Sequence, residues 1–234
     1  MKVVSFFFIV FLLNQPLLAQ QLTGPEVLDK AIAFHDPNGI WPSFIGTLQV
    51  TMETPSSSER HSIVHIDIPN SKFGLEVSKD GDSYTYRLEK EGCEISLNGS
   101  TTISMEDREK FRLSCERGKM YRNYYTYLYG LPMKLKDTGT QIHDKVTKAT
   151  FKGKTYLKVK ATYDAEVGED TWYFYFDPET YAMEVYQFFH EESKNDGEYI
   201  LLSGMEEING IKMPKIRKWY YNKDDTYLGT DNLN

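Results

Sequence analysis

The 234-residue chain has little of three features that mark common classes of protein. It holds only two cysteines, too few for a disulfide-dense scaffold or a four-cysteine zinc site. It lacks an excess of positive charge, since the formal net charge is -7 and the pI is about 5.3, which argues against a general nucleic-acid-binding protein. No apolar run reaches the ~20 residues that a membrane-spanning helix needs. The chain contains 40% hydrophobic and 26% charged residues, and this composition predicts a globular protein with a substantial core.

The N-terminal segment has the pattern of a secretory signal peptide. Lys2 precedes an apolar run over residues 3–13. Pro16 follows the end of this run, and Ala19 is the small residue expected before a cleavage site. We therefore predict cleavage after Ala19 and an exported product, periplasmic or secreted, that comprises residues 20–234. The order and length of these features favour a signal peptide over a buried N-terminal helix or strand. Because no cysteine follows the apolar run at the cleavage site, no lipid anchor is expected there.

Export places the two cysteines in an oxidising compartment, where disulfides form. Cys93 alternates with Ile95 and Leu97 and points with them towards a core, whereas Cys115 lies in a helical stretch that begins at Ser104. We predict that the helix packs on this strand and that the two thiols form a disulfide worth roughly 3 kcal/mol. The alternative is a pair of small buried hydrophobic side chains with no bond between them.

Local patterns predict two helical segments and many strands. Thr23 with Glu26 is typical of a helix start, and the Asp36–Gly39 turn ends that helix. A second helical segment runs from about Met105 to Leu128. Two-residue turns, of which Asn209-Gly210 gives the strongest signal, connect antiparallel strands. Alternation of apolar and polar residues predicts strands around residues 48–52, 64–68, 73–77, 84–88, 93–97, 145–151, 156–163, 171–176, 182–189, 198–203 and 212–221.

These elements predict a mainly β (α+β) fold. No flexible linker and no repeat separates the two halves, so residues 20–234 are expected to form one domain. An antiparallel meander of this many strands must curl, because wide flat sheets are unusual. We therefore expect a single curved antiparallel sheet. Its concave side needs a cover, and the N-terminal helix and the mid-chain helical segment are the available plugs.

The chain also resembles known proteins. Its order of leader, helix, meander, helical insertion and second meander resembles the LolA/LolB-like superfamily of periplasmic lipoprotein carriers and receptors. Its local strings are similar to those of an uncharacterised secreted bacterial family near that superfamily. This resemblance implies an open half-barrel with a hydrophobic cavity lidded by helices, and it implies no established activity. The strings that carry it are His35-Asp36-Pro37, Tyr121-Arg122-Asn123-Tyr124-Tyr125, Tyr129-Gly130-Leu131-Pro132-Met133, Gly168-Glu169-Asp170-Thr171-Trp172 and Tyr227-Leu228-Gly229-Thr230-Asp231.

The concave face of such a sheet offers a pocket for a lipid acyl chain or another apolar ligand. Each methylene group that it removes from water contributes ~0.8 kcal/mol. Tyrosine suits such a pocket because its ring is apolar while its hydroxyl can meet a polar head group. The alternative is that the helices fill the groove and that the same residues are simply core. The candidate ligand-binding residues are Leu48, Val50, Val64, Ile66, Phe73, Leu75, Tyr84, Tyr86, Tyr121, Tyr125 and Leu128.

Two aromatic clusters support a second hypothesis, a glycan-binding module. Residues 172–176 read Trp-Tyr-Phe-Tyr-Phe and residues 219–221 read Trp-Tyr-Tyr. Aromatic rings on an exposed sheet face bind sugars, but aromatic residues are also favoured in sheets for structural reasons. Exposed rings on a convex face would favour the glycan hypothesis.

Two polar groups raise the question of a metal or catalytic site. His61, His65 and Asp67 share one face of a strand and are types that ligate zinc, but this is the polar outward face, so we predict no metal site. His35 beside Asp36 raises the possibility of a hydrolase. That interpretation requires a second titratable partner in a cleft, and it fails if His35 is buried against backbone.

No sequence motif of a common enzyme class is present. The chain has no nucleophile elbow, phosphate loop, metalloprotease helix or dinucleotide-binding fingerprint. We therefore expect a non-enzymatic, exported binding protein without a cofactor. Its expected partners are a lipid or other hydrophobic small molecule and a lipoprotein or membrane surface, as for a periplasmic lipid or lipoprotein carrier, and not nucleic acid.

Overall fold

The computed structural model describes residues 21–234, so the predicted signal peptide lies outside the described residues. Twelve strands in that range form one antiparallel sheet. The helices are α1 (Gly24–His35), α2 (Met105–Lys110) and α3 (Cys115–Gly130). The strands are β1 (Ile45–Thr54), β2 (Ser57–Asp67), β3 (Lys72–Lys79), β4 (Asp82–Leu88), β5 (Cys93–Leu97), β6 (Thr140–Phe151), β7 (Lys154–Tyr163), β8 (Thr171–Phe176), β9 (Met183–Phe189), β10 (Glu198–Ile208), β11 (Ile211–Tyr221) and β12 (Tyr227–Leu233).

The sheet consists of two meanders joined through its last strand. The order across the sheet is β5-β4-β3-β2-β1-β12-β11-β10-β9-β8-β7-β6. Strands β5 and β6 are therefore the two edges and do not pair with each other, which leaves the barrel open. This architecture confirms the predicted fold class, a mainly β protein with one open antiparallel sheet and helices at the N-terminus and mid-chain.

Strand β12 is the element that the alternation did not predict. It pairs with β1 on one side and with β11 on the other, so it connects the two meanders. Its polar residues Thr230 and Asp231 are buried. Because the polar Asp231 occupies an inward position, where it accepts a hydrogen bond from Trp219, the usual alternation of apolar and polar residues is absent.

The hairpin turns form where the sequence predicts them. Asn209 and Gly210 have φ of 49° and 84°, and they connect β10 to β11. Asp80 and Gly81, with φ of 54° and 86°, connect β3 to β4 in the same way. Two consecutive positive φ values define the type I′ turn, whose twist matches that of the flanking strands.

Helix α1 begins with the predicted capping box. The Thr23 hydroxyl accepts from the Glu26 amide, and the Glu26 carboxylate accepts from the Thr23 amide at 2.8 Å. The buried face of the helix, with Val27, Leu28 and Ala31, packs against β6, β7 and β11. The helix thus covers the second meander.

The mid-chain helical segment differs from the prediction because it is broken into two helices. Arg112, between α2 and α3, has a φ of 53°, which a continuous helix does not permit. Ser114 then caps a new helix by accepting from the Arg117 amide at 3.1 Å. The predicted disulfide is present, with the Cα atoms of Cys93 and Cys115 5.9 Å apart. It joins the first residue of α3 to edge strand β5.

Helix α3 fills much of the hollow of the half-barrel. Its tyrosines Tyr121, Tyr125 and Tyr129 lie one turn apart, are buried, and stack on one another with ring centroids 6.1 to 6.4 Å apart. Gly118 permits the close approach to β4, since a Cβ atom there would lie 2.8 Å from the ring of Tyr86. The first meander and α3 therefore share one core.

Candidate ligand cavity

The eleven predicted ligand-binding residues lie mainly in this shared core. Ten of them are buried, and Tyr84 is half-buried. The rings of α3 cover the strand residues directly: Tyr121 lies 5.7 Å from Tyr86, and Tyr125 stacks 6.4 Å from Phe73. Of the eleven, Ile66 also lines a cavity beside α3. Ligand contact by the whole set stays a prediction.

A cavity lies beside α3, not beneath its apolar face. Its volume is about 600 Å³, within the ~300–1,000 Å³ range of ligand pockets. The first meander contributes the end of β2 and the turn into β3, and the second contributes residues of β6, β7 and β8. Helix α3 forms the wall between them. The apolar part of the lining consists of Ile66, Ile68, Tyr127, Tyr163, Val167 and Trp172.

An aromatic wall forms the second-meander side of this cavity. The Trp172 ring stacks on Phe188 at 4.8 Å and meets the edge of Tyr127 at 5.7 Å. The hydroxyls of Tyr127 and Tyr163 are hydrogen-bonded to each other. Burial raises the pKa of Tyr163 to about 12 and that of Tyr127 well above its usual value. Both phenols are therefore neutral at physiological pH, so this wall is apolar with a polar tip.

Charged side chains surround the same cavity, and most are paired. Lys72 contacts Glu89 at 3.1 Å, and Lys134 pairs with Asp137. On the other side, an Asp170 oxygen lies 2.7 Å from the His190 ring, and this carboxylate raises the pKa of His190. The cavity therefore combines an apolar wall with a polar margin, a combination suited to an amphiphile.

Asp67 and Arg122 belong to the same polar margin. Asp67 accepts from the side-chain amide of Asn70 at 3.0 Å, and these hydrogen bonds lower its pKa. Arg122 projects from α3 one turn before Thr126, and both line the cavity. Sequence reasoning missed the polar lining of α3. The available signal was the set Arg122, Asn123 and Thr126, which forms a polar stripe beside the tyrosines of the helix.

A buried polar row crosses the concave face under α3, and sequence reasoning missed it too. Arg217 is only 1% exposed, donates to the Pro214 carbonyl at 2.8 Å and lies 3.9 Å from the Tyr129 ring. Asp231 accepts from the Trp219 indole at 3.1 Å, and burial raises the pKa of its carboxyl. The inward position of Asp231 explains why β12 lacks the alternation of apolar and polar residues that predicts a strand.

His35 does not form a catalytic pair, so the hydrolase interpretation is wrong. The side chain is fully buried; its Nε2 accepts from the Met183 amide at 3.0 Å, which leaves Nδ1 to donate to the Lys212 carbonyl at 2.7 Å. Asp36 accepts from the amides of Ile40 and Trp41. Burial lowers the pKa of His35 to about 4. The imidazole is therefore a neutral link between α1 and two strands.

The residues considered for zinc make separate local contacts. His61 and His65 lie 3.2 Å from the hydroxyls of Thr51 and Thr47, whereas Asp67 contacts Asn70. Within residues 21–234, no group of three or more histidine, cysteine or acidic side chains is arranged to hold a metal ion.

The aromatic clusters divide between the two faces of the sheet. The tryptophans belong to the interior side: Trp172 lines the cavity, and Trp219 stacks at 6.3 Å on Tyr124 of α3. On the outer side the Tyr173 hydroxyl donates to Glu192, and Lys158 covers its ring at 4.4 Å. The tryptophans therefore do not form an exposed platform for sugars.

Helices in the described part of the chain do not include one that is both long and apolar enough to span a membrane.

Solved structures with a similar fold cover nearly the whole chain. A LolA superfamily protein from Nitrosomonas europaea is 11% identical, with a TM-score of 0.50 and 92% of each chain covered. A DUF1329 family protein from Desulfovibrio piger is 8% identical, with a TM-score of 0.52 and 92% of each chain covered. At these identities the likeness concerns the fold, and it agrees with the resemblance drawn from the sequence.

No curated protein has significant similarity to the chain. A family model matches residues 2–234, and its description is a family of unknown function, DUF6503. The curved open sheet and the cavity beside α3 are thus features of a protein that belongs to the DUF6503 family.

Proposed function

We propose that the protein is an exported, non-enzymatic carrier that holds the apolar part of a lipid or another amphiphile in the cavity beside α3. The observation that carries this proposal is the cavity of about 600 Å³ with its wall of Trp172, Tyr127 and Ile66. In this proposal residues 20–234 act as one binding domain, after removal of a leader that ends at Ala19.

The size and chemistry of the cavity favour a ligand with a hydrocarbon segment. Moving about eight methylene groups from water to this wall contributes roughly 6 kcal/mol, before the cost of ordering the chain. The paired hydroxyls of Tyr127 and Tyr163 leave the aromatic wall without charge, so an alkyl chain does not desolvate an ion. Ile66 would contact the ligand directly. The other ten predicted residues lie in the core beside it, where Phe73 and Tyr86 contact tyrosines of α3, the helix that forms the cavity wall.

The fold supports a carrier role, since one solved structure of similar fold is a LolA superfamily protein. An open half-barrel can receive a long chain from its unpaired side, and a cavity between sheet and helix protects that chain from water. A lipoprotein or a membrane surface on the outer side of the inner membrane would then supply or receive the ligand. The protein would act in the periplasm or outside the cell.

We propose that the protein is not an enzyme, because the side chain that was its best candidate for catalysis has no free ring nitrogen. His35, the histidine that the sequence singled out, is neutral and bonded on both ring nitrogens to backbone.

The experiment is native mass spectrometry of the exported protein, purified without detergent, followed by lipid extraction. We expect an adduct with the mass of an amphiphile, and after its removal we expect rebinding of a long-chain fatty acid. Thr126→Trp fills the cavity from α3 and should abolish rebinding. Thr150→Trp, on an exposed strand position, is the matched control and should retain it. Empty protein that also fails to bind an added amphiphile would overturn the proposal.

A further inference from the structure

Arg122 differs from the other cations of the cavity lining, Lys72 and Lys134, because it has no ionic partner. Among residues 21–234 no carboxylate lies within 4 Å of its guanidinium, and its only side-chain hydrogen bond is a long one, 3.4 Å from Nε to Oδ1 of the Asn123 side chain. In contrast, Lys72 and Lys134 are both paired with carboxylates. One cation of the margin is therefore available to a ligand.

The environment of Arg122 makes this availability significant. The side chain is half-buried and lines the same cavity as Ile66 and Trp172. A guanidinium that is partly removed from water without a counter-ion loses hydration, and the single long hydrogen bond to Asn123 replaces only a small part of it. Its planar fork matches the two oxygens of a carboxylate or a phosphate. Neighbouring Thr126 adds a hydroxyl on the same side of the helix.

The overall negative charge of the protein means that binding of an anionic ligand depends on a cation close to the cavity. The formal net charge is -7, so the protein as a whole repels anions at long range. Preference for an anionic ligand must then come from a specific contact, and Arg122 is the group at the cavity that can make it.

We propose that the cavity selects amphiphiles with an anionic head group, carboxylate or phosphate, which the Arg122 guanidinium binds while the tail lies against the Trp172 wall. This inference rests on the proposed carrier function and names the ligand class of the same cavity. A fatty acid and a phospholipid fragment share this chemistry, and they are distinguished by comparing the two head groups on one tail.

The test is isothermal titration calorimetry with four ligands that share a twelve-carbon tail, each below its micelle concentration. The heads are carboxylate, phosphate, neutral maltoside and trimethylammonium. We expect the better anionic ligand to bind about tenfold or more tightly than the maltoside, since hydrogen bonds to charged groups are the strong ones. The better of the two anions identifies the source, a fatty acid or a phosphate-bearing lipid.

Arg122→Gln should remove the preference for anions while maltoside binding is retained with a smaller change in affinity, and Arg122→Lys should retain part of the preference. Lys119→Gln removes the same charge from an exposed position of α3 outside the cavity lining, and it should behave as wild type. Retained maltoside binding also shows that the variants are folded. Equal binding of all four heads, or an anion preference that survives Arg122→Gln, would overturn this inference alone. Failure of every ligand to bind the wild type would overturn the carrier function as well.

Discussion

His35 joins three parts of the fold through one side chain. It belongs to the end of α1, donates to a β11 carbonyl and accepts from a β9 amide. Because the ring has no contact with water, protonation forces a charge into the core and breaks the bond in which Nε2 accepts. The histidine is therefore a structural group whose effect depends on pH.

We predict that stability falls when the solution is acidified through the range set by this residue. The folded pKa of about 4 lies below the usual value of 6.5, so the contribution is complete above pH ~6.5 and is lost as the pH falls towards 4. The shift corresponds to roughly 3 kcal/mol. Urea unfolding of wild type and His35→Gln across this range measures it, since the variant, although less stable, should lack this component. His61→Gln, at an exposed histidine, is the control and should follow the wild type. Parallel curves for wild type and His35→Gln would contradict the assignment.

At the scale of the element, α3 includes features that the sequence predicts and features that it does not. The disulfide was predictable because strand alternation pointed Cys93 inward and export favoured oxidation. The break at Arg112 was not, because its positive φ depends on how α2 and α3 dock and not on a local residue preference. The cavity lining was not predictable either: the apolar face of α3 fills the groove, and the hollow lies along its polar side at Arg122 and Thr126.

The disulfide holds the start of α3 on the edge strand, so its removal should loosen that helix. We predict that Cys93→Ala with Cys115→Ala lowers the free energy of unfolding by roughly 3 kcal/mol, the effect of closing a loop with a sequence separation of 22 residues. Guanidinium unfolding measures the change. Wild type with a reductant should match the double variant, and the double variant should not respond to the reductant. Equal stability of oxidised wild type and double variant would contradict a structural role.

At the scale of the whole molecule, strand β12 joins the two meanders into a single sheet. The alternation of residues in the first eleven strands was sufficient to predict an antiparallel sheet, and the number of strands required it to curl. Strand β12 was not predictable, because Asp231 faces the core and is bonded to Trp219 of the neighbouring strand. Such a pair appears polar in sequence and is recognised only when the strands are placed side by side.

The central claim is that an alkyl chain lies in the cavity beside α3. Trp172 lines that cavity, whereas Trp219 lies beneath α3 and contacts Asp231. The most direct test is quenching of tryptophan fluorescence by a fatty acid with a brominated tail, because bromine quenches only rings that it approaches closely. We predict saturable quenching in wild type and in Trp219→Phe, and its loss in Trp172→Phe. Quenching that is absent in wild type, or that persists undiminished in Trp172→Phe, would contradict the claim.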